Sequence, residues 1–314
     1  MSAPLKTLLA RPDRLAPGHR MCAGCGAPVA VRAVMRAMDP AEKAVVSCAT
    51  GCLEVSTYTY PYTAWKDSFI HNAFENAAAT LSGVEAAYTA LSKAGRVQDT
   101  YRFVAFGGDG GTYDIGFQSL SGAMERGHRM LYVCYDNGAY MNTGIQRSSA
   151  TPAYADTTTS PSGTISAGKP QRRKDMTRIL ATHGIPYASQ TAFTTDFKDL
   201  HGKAEKSFAC GGPAFLNILA PCPRGWRYEP KYLMKISKLA IDTCFWPLYE
   251  IEEGVLHLTY HPKKKLPVED FLSAQGRFSH LFEGGEPVTA VAAIQAAVDR
   301  EWEILGQLDG KQVH

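Results

Sequence analysis

The sequence predicts an α/β fold in which a mostly parallel β-sheet carries helices on both faces. The first observation is a set of short apolar runs typical of buried strands, at 44–48, 101–106, 130–135 and 213–219. The second is a set of helical patterns, at 28–38, 72–91, 115–126, 174–183 and 196–208. The third is their alternation, because strand–helix–strand repeats form parallel sheets that are covered on both sides.

Local signals support individual elements along the chain. The helix predicted at 28–38 starts with proline, whose fixed φ suits the first helical turn. The stretch at 72–91 is rich in alanine and repeats apolar residues at helical spacing. Residues 137–171 interrupt the alternation with a long, polar segment, and unstructured segments of that length in compact domains are usually functional or mobile.

The pattern loosens in the last third of the chain. Beyond residue 223 the apolar periodicity weakens, and one more helix is predicted near 287–305. We therefore expect a cofactor-binding domain over residues 1–225. Residues 226–314 are expected to form a C-terminal arm that packs on this domain and on partner subunits.

Composition excludes several classes of protein. The chain has 314 residues, of which 45% are apolar, so it can bury a real core. Its 33 basic and 30 acidic residues give a net charge of only +3, which provides no electrostatic case for nucleic acid as a partner. Neither a membrane-spanning run nor a secretory leader is apparent, so we expect a cytoplasmic protein without a membrane partner. Eight cysteines in such a chain indicate metal or redox chemistry rather than disulfides.

A glycine-rich turn follows the strand predicted at 101–106. Its glycines let backbone approach a phosphate closely, but Asp109 in its middle would repel a bare pyrophosphate. A divalent cation between the two removes that conflict, because Mg²⁺ binds carboxylate and phosphate oxygens together. The next predicted strand leads into Asn137, 28 positions after Asp109, so the two side chains should meet at neighbouring strand ends. A backbone carbonyl just past Asn137 could complete the ligand set.

This pair resembles the thiamine diphosphate motif, in which Gly-Asp-Gly is followed by Asn about 25–30 residues later. The resemblance implies that Asp109, Asn137 and the carbonyl of Ala139 hold Mg²⁺ on the cofactor diphosphate. It also implies a wider set of cofactor contacts. These are Ala27, Thr50, Gly51, Cys52, Gly108, Asp109, Gly110, Gly111, Asn137, Gly138, Ala139, Tyr140, Met141, Asn142 and Thr143.

Four cysteines fall at strand ends or loops on what should be one edge of the sheet. Cys22 and Cys25 form a CxxC, Cys52 lies just after the strand at 44–48, and Cys222 just after the strand at 213–219. Four thiolates support either tetrahedral zinc or an iron–sulfur cluster. The second CxxC of a zinc ribbon is missing, yet the cysteines alone leave structural zinc open.

The combination resembles the β subunit of the 2-oxoacid:ferredoxin oxidoreductases, in their pyruvate-type branch, over about residues 15–250. The stretches that carry the resemblance are HRMCAGCG, CATGC, FENAAA, GGDGGTYDIGFQSLSGAMERGH, YDNGAYMNTGIQRSS and LAPCPRGW. It implies the thiamine diphosphate-binding fold of the diphosphate domain. It also implies one 4Fe–4S cluster, whose ligands are Cys22, Cys25, Cys52 and Cys222. The bystander cysteines are then Cys48, Cys134, Cys210 and Cys244.

The resemblance implies a reaction and partners as well. A small 2-oxoacid is oxidatively decarboxylated on the cofactor, and the cluster at Cys52 takes the electrons toward ferredoxin. Asn142 is expected to hydrogen-bond the substrate or an intermediate. The glutamate that activates the cofactor and a ferredoxin-type cysteine run are both missing here. We therefore expect a pyrimidine-domain (α) subunit and a ferredoxin-like iron–sulfur subunit as partners.

The sequence departs from the branch at Gly138, where the family usually has an acidic residue. Loss of that charge would favour a more anionic substrate, so oxalate is the suspected substrate, with pyruvate and CoA close behind. Two other classes stay open at this stage. One is a non-redox thiamine diphosphate carboligase or decarboxylase subunit with a structural metal site, and the other is a zinc-stabilised interaction protein.

Overall fold

An eight-stranded sheet forms the centre of the computed structural model, which describes residues 4–194, 197–282 and 287–313. The strands in chain order are β1 Lys43–Cys48, β2 Tyr58–Thr59, β3 Tyr62–Thr63, β4 Ser68–His71, β5 Tyr101–Gly108, β6 Leu131–Asp136, β7 Tyr187–Thr191, β8 Ala214–Leu219, β9 Tyr249–Glu252 and β10 Val255–Leu258. Their order across the sheet is β10-β9-β7-β8-β6-β5-β1-β4, and β2 and β3 form a separate hairpin. All pairs from β7 to β4 are parallel, whereas β9 and β10 are antiparallel. The predicted mostly parallel sheet is confirmed.

Helices cover both faces of this sheet, as predicted. The α-helices in chain order are α1 Leu5–Ala10, α2 Gly26–Ala37, α3 Cys52–Thr57, α4 Ala77–Lys93, α5 Phe117–Glu125, α6 Met176–Ala181, α7 Lys198–Ala209, α8 Pro223–Trp226, α9 Leu233–Asp242, α10 Val268–Leu272 and α11 Pro287–Leu308. α2 and α7 bury Val34 and Leu200 in one core, while α4 and α5 bury Leu81 and Leu120 in a second core. Because each helix has one apolar face, the two cores lie on opposite sides of the sheet.

Four helices begin later than expected, those predicted at 72–91, 115–126, 174–183 and 196–208. The stretch predicted as a helix at 72–91 becomes helical only at Ala77, because residues before it bind neighbouring strands. Asn72 donates from its amide to Ser47 Oγ at 2.8 Å, and its carbonyl accepts from Thr50 Oγ1 at 2.7 Å. The helix predicted at 196–208 is observed as Lys198–Ala209, and Asp196 lies outside the described residues.

The strand β7 was not predicted, because its sequence is too polar to look like a buried strand. Gln190 is buried with its amide donating to the Pro247 carbonyl at 2.9 Å, and Thr191 is fully buried with its hydroxyl donating to Asp199 Oδ2 at 2.5 Å. Tertiary hydrogen bonds therefore compensate for the desolvation of these polar groups. Strand propensity is weak enough that such contacts override it.

The chain after residue 226 packs on the domain through its own apolar core. Trp226, Trp246, Phe271 and Phe278 are buried together there. β9 and β10 extend the main sheet beyond β7, which was also not predicted from the sequence. Within the described ranges 4–194, 197–282 and 287–313, no helix is long and apolar enough to cross a membrane.

Candidate active site

The carboxyl ends of β5 and β6 lie side by side and present the two residues that the motif spacing predicted to meet. Gly108 pairs with Tyr135 at the last register position, so Asp109 and Asn137 leave the sheet at the same edge. The Asn137 backbone N–H donates to Asp109 Oδ1 at 3.3 Å. A π-helical turn, Gly110–Asp114, starts directly after Asp109 and continues toward α5. Single turns of this kind are frequent at functional sites.

Three oxygen atoms converge between these strand ends. The side-chain oxygen of Asn137 lies 2.9 Å from Asp109 Oδ1 and 2.8 Å from the carbonyl oxygen of Ala139. In a metal-free chain the amide would turn over and donate its N–H groups to both oxygens. With the oxygen facing inward, the three atoms have the spacing of adjacent ligands on one Mg²⁺, which is about 2.9 Å for octahedral bonds of 2.0–2.1 Å.

Asp109 is fully buried, and its carboxyl group needs partners to ionise there. Burial, together with the nearby carboxyl of Asp136, raises its pKa to about 8. Ser148 donates its hydroxyl to Oδ2 and favours the ionised form. A divalent cation at the converging oxygens would offset the remaining cost of the charge.

Asp136, which the sequence analysis did not single out, anchors the loop after β6. Its carboxylate accepts from the Tyr113 hydroxyl at 2.7 Å, from Arg173 Nη2 at 3.0 Å and from the Gly138 N–H at 3.0 Å. Burial raises the pKa of Asp136, whereas the Arg173 charge lowers it. Because all these contacts lie away from the three oxygens, Asp136 holds the loop rather than completing the ligand set.

A cleft of about 310 Å³ opens beside this edge of the sheet. Most of the residues that the resemblance assigned to the cofactor line it, together with two that it did not, Phe74 and Tyr135. The full lining is Thr50, Gly51, Cys52, Phe74, Gly108, Gly110, Gly111, Tyr135, Asn137, Ala139, Tyr140, Met141, Asn142 and Thr143. Asp109 lies beneath the cleft, while Ala27 is buried in α2 and Gly138 lies on the far side of its loop.

One glycine of the motif is required by a close approach of two segments. A Cβ at Gly110 would lie 2.3 Å from the Tyr140 ring, whose hydroxyl donates to the Gly110 carbonyl at 3.0 Å. Any side chain at this position would push the 137–143 loop away from the start of the helix. The glycine therefore keeps both walls of the cleft in contact.

The four cysteines singled out in the sequence meet at one end of this cleft. Burial, together with the charges of Cys222 and Cys22, raises the pKa of the Cys25 and Cys52 thiols to about 12. The CxxC loop packs on the end of β8, where the Gly26 N–H donates to the Pro221 carbonyl at 3.0 Å. These contacts bring cysteines from three distant parts of the chain to one place.

The cysteine group borders directly on the cleft. Cys52 lines the cleft itself, at the first residue of α3. Met141 also lines the cleft, and its Sδ lies 2.1 Å from where a Cβ of Gly225 would be, next to Cys222. Among the described residues, no three His, Cys, Asp or Glu side chains are gathered closely enough to hold a single metal ion.

Comparison with known proteins defines the class first. The family model for the thiamine pyrophosphate enzyme, C-terminal TPP binding domain, matches residues 49–218, which contain β2–β7, most of β8 and the cleft. The solved 2-oxoglutarate:ferredoxin oxidoreductase from Magnetococcus marinus is similar in fold, with a TM-score of 0.56 and 20% identity over 75% of this chain and 80% of that one. Fold and site together define a thiamine diphosphate-binding domain.

Closer relatives narrow the family. The chain is 52% identical over 295 residues to the pyruvate synthase subunit PorB of Thermotoga maritima, which covers 93% of this chain and 91% of that protein. It is 49% identical over 298 residues to PorB of Methanocaldococcus jannaschii, with coverage of 94% and 97%. The chain therefore belongs to the β subunits of the thiamine diphosphate-dependent 2-oxoacid:ferredoxin oxidoreductases, in the pyruvate-type branch, as the sequence motifs indicated.

Proposed function

We propose that this chain is the subunit of a multi-subunit complex that decarboxylates a small 2-oxoacid oxidatively and passes the electrons to ferredoxin. Mg²⁺ on the cofactor diphosphate is held by Asp109, Asn137 and the carbonyl of Ala139. One 4Fe–4S cluster is held by Cys22, Cys25, Cys52 and Cys222. The observation that carries the proposal is the position of Cys52, which belongs both to the cysteine group and to the wall of the cleft.

The oxygen set supports Mg²⁺ because it combines one carboxylate, one amide and one carbonyl. Mg²⁺ takes one or two protein carboxylates and completes its shell with phosphates and water. Ser148 and the Asn137 N–H orient the Asp109 carboxylate, so this ligand is already in place before the ion arrives. Burial of the site strengthens each of these interactions.

The cysteine group supports a cluster rather than zinc. A cubane cluster binds each cysteine through a different iron atom, so its four sulfurs stand farther apart than those around one ion. The thiols here act on each other electrostatically, and among the described residues no group that could hold a single metal ion is found, which favours the cluster. The Gly225 N–H, which points at Cys222 Sγ from 3.3 Å, would stabilise a thiolate there.

Different residues of this chain have different roles in the proposed reaction. Bound thiamine diphosphate supplies the electron sink for decarboxylation. Asn142 is exposed at the mouth of the cleft, where its amide can hydrogen-bond the substrate. Cys52 connects the cofactor cleft to the cluster, which keeps the path of the electrons short. The pyrimidine-domain subunit, a ferredoxin-like subunit and ferredoxin complete the system.

The cluster and the cofactor site can be tested separately in the purified complex. Cys52→Ser should lower the iron content of the complex by about four atoms per copy of this chain and abolish ferredoxin reduction, while Mg²⁺-dependent binding of thiamine diphosphate stays within about threefold of the wild type. Cys210→Ser is the matched control, since Cys210 lies at the end of α7 and should leave both properties intact. One zinc ion per copy of this chain in the wild-type complex, with the same iron content in Cys52→Ser as in the wild type, would contradict the cluster.

Pyruvate is the substrate we propose first, because the most similar relatives above are subunits of pyruvate synthase. Identity alone does not decide between oxoacids. The chain is also 40% identical over 293 residues to the ketoisovalerate oxidoreductase subunit VorB of Pyrococcus abyssi, with coverage of 93% and 92%. That relative is an oxidoreductase too, which favours redox function over a non-redox carboligase.

Oxalate is the second candidate, and a specific contact favours it. Gly138 has a φ of +74°, and a Cβ there would lie 3.0 Å from Arg277 Nη1. An acidic side chain at this position would neutralise that buried guanidinium, whereas glycine leaves its charge to act on the site. A positive charge near the cleft would favour a dianion over a monoanion.

A viologen-reduction assay of the purified complex distinguishes the two substrates. Pyruvate requires CoA as acceptor of the acyl group, and oxalate does not, since it yields only CO₂. If the complex reduces viologen with pyruvate and CoA but not with oxalate, pyruvate is supported and oxalate is rejected. CoA-independent reduction with oxalate, and none with pyruvate, reverses that assignment.

A further inference from the structure

A second cleft, of about 1530 Å³, lies between α11 and the residues that lead into α6. It shares no lining residue with the cofactor cleft, and the proposed reaction does not use it. Sites for small organic molecules usually occupy about 300–1,000 Å³, so this cleft has room for such a ligand. The chemistry of its walls indicates which kind of ligand fits.

One wall of this second cleft is apolar. Five residues of α11 line it at helical spacing, namely Ala293, Ile294, Ala297, Val298 and Leu305. The two alanines are small, so they leave the space between the helix and the rest of the domain unfilled. Further apolar lining comes from Pro152, Phe245 and Pro247. Apolar surface around a cleft of this size is typical of a ligand-binding site.

Four basic and two acidic side chains also line the second cleft. Arg178 binds both of the lining carboxylates, those of Asp175 and Glu301. Two further cations, Arg173 and Lys174, pair with carboxylates outside the lining. One basic side chain of the wall is then left to bind a ligand.

This remaining cation is Arg172. Its exposed guanidinium makes neither an ion pair nor a hydrogen bond with any residue of 4–194, 197–282 and 287–313. A second positive charge lies next to it, because Lys169 is 1% exposed and donates from Nζ to the carbonyl oxygens of Thr151, at 2.6 Å, and of Arg172, at 3.4 Å. Neither acceptor is a carboxylate, so this part of the wall attracts anions.

We propose that the second cleft binds an elongated organic anion, whose apolar body lies along α11 and whose carboxylate or phosphate group binds Arg172. The inference goes beyond the proposed function and does not depend on it. Burial of methylene groups against the apolar wall supplies affinity, at a gain of about threefold to fourfold for each one. The guanidinium supplies orientation, because its fork of donors matches the oxygens of such a head group.

Calorimetric titration of the purified complex with defined probes tests this inference. Decanoate should bind about tenfold more tightly than octanoate, because two more methylene groups are buried. Octanoate should in turn bind about tenfold more tightly than 1-octanol, which cannot form charged hydrogen bonds with the guanidinium. Decyl phosphate carries the same tail as decanoate, so the tighter of these two probes identifies the preferred head group.

Two pairs of variants locate the binding site. Arg172→Gln should weaken the binding of decanoate about tenfold. Arg300→Gln is its control, since it removes an exposed guanidinium of α11 that lies outside the lining. Ala297→Trp fills the cleft and should abolish binding. Ala296→Trp, at the exposed neighbouring position outside the lining, should leave binding unchanged.

Any one of three results overturns the inference. The first is a wild-type complex that binds neither decanoate nor decyl phosphate at millimolar concentration, which is the outcome if a partner subunit covers the cleft. The second is equal affinity for octanoate and 1-octanol. The third is wild-type affinity for decanoate in both Arg172→Gln and Ala297→Trp.

Discussion

Four charged side chains are packed around the carboxyl ends of β5 and β6, namely Asp109, Asp136, Arg173 and Arg277. Arg173 lies 4.1 Å from the centroid of the Trp246 ring, and Arg277 lies 3.9 Å from that of Trp226. Aromatic faces attract cations and exclude water, so both guanidinium groups have a partner at low solvent exposure. Burial lowers the pKa of Arg277 to about 9, whereas the carboxylate of its neighbour Asp136 favours its charge. These four residues set the local field in which an anionic cofactor would bind.

Removal of the Ser148 hydroxyl tests how the Asp109 carboxylate is held. Ser148→Ala deletes a hydrogen bond to a buried charged group, which is worth about 1.5–3 kcal/mol. We expect the Kd for Mg²⁺–thiamine diphosphate to rise about tenfold or more, measured by isothermal titration calorimetry. Asp109→Asn should raise it further, since it removes the charge itself.

Ser149→Ala is the control for this substitution. Ser149 is the next residue, and its hydroxyl and N–H bind Asp114 rather than Asp109. Its replacement should change the Kd by less than about twofold. Equal losses in both serine variants would mean that the loop, and not the carboxylate, limits binding.

The long segment between β6 and α6 supplies side chains that hold the carboxylates of the candidate site in place. It folds back under the strand ends, where Ser148 reaches Asp109 and Arg173 reaches Asp136. Its interior holds Lys169, which is 1% exposed and donates to the Thr151 carbonyl at 2.6 Å. The prediction that this segment is functional follows from its length, but its inward path depends on these contacts.

Lys169 predicts a pH dependence of stability that belongs to this element. Burial, together with the charges of Arg147 and Arg173, lowers its pKa to about 8. Between pH 8 and the ordinary lysine value the unfolded chain binds more protons, so stability rises with pH in that window and is flat below it. The contribution is at most about 3 kcal/mol.

Urea unfolding of the wild type and of Lys169→Met from pH 7 to 10 measures this contribution. The difference between the two free energies of unfolding should shift in favour of the wild type as pH rises from 8 to 10. Subtraction removes the titration of all other groups. A difference that stays constant across the range would show that Lys169 titrates normally.

At the scale of the whole molecule, the C-terminal residues complete both the sheet and the site. β9 pairs with β7 and protects what would otherwise be an open sheet edge. Trp226, at the start of this segment, contacts the loop after β6. Its indole N–H donates to the Asn137 carbonyl at 2.6 Å. The expected arm is therefore integrated with the domain, while its contacts with partner subunits remain a prediction.

Truncation after residue 247 tests this integration. The shortened chain loses β9, β10 and the buried rings of Phe271 and Phe278, and it exposes the edge of β7. We expect it to aggregate, as judged by the soluble fraction and by size-exclusion chromatography. Truncation after residue 308 is the control, since it keeps α11 and should remain soluble. A soluble 247-residue chain with cooperative unfolding would contradict the expectation.

Local sequence pattern was sufficient to predict part of the fold and part of the candidate site. The meeting of Asp109 and Asn137 could be predicted because neighbouring parallel strands end at one edge of a sheet. The placement of Arg173, Trp226 and Arg277 could not, because no local periodicity encodes a contact between distant parts of the chain. Trp226 and Asn137, for example, are 89 residues apart. Strand β7 was missed for the same reason, since distant residues hydrogen-bond its polar side chains Gln190 and Thr191.

By itself, the sequence determined the alternation of strands and helices, the motif at the ends of β5 and β6, and the family to which the chain belongs. It did so because periodicity, glycine placement and motif spacing are local properties of the chain. Only the tertiary structure decided that three oxygens converge at the spacing of Mg²⁺ ligands and that the cysteine group borders on the same cleft through Cys52. These features depend on which distant side chains fill the space around the strand ends, and packing settles that only when the whole chain is folded.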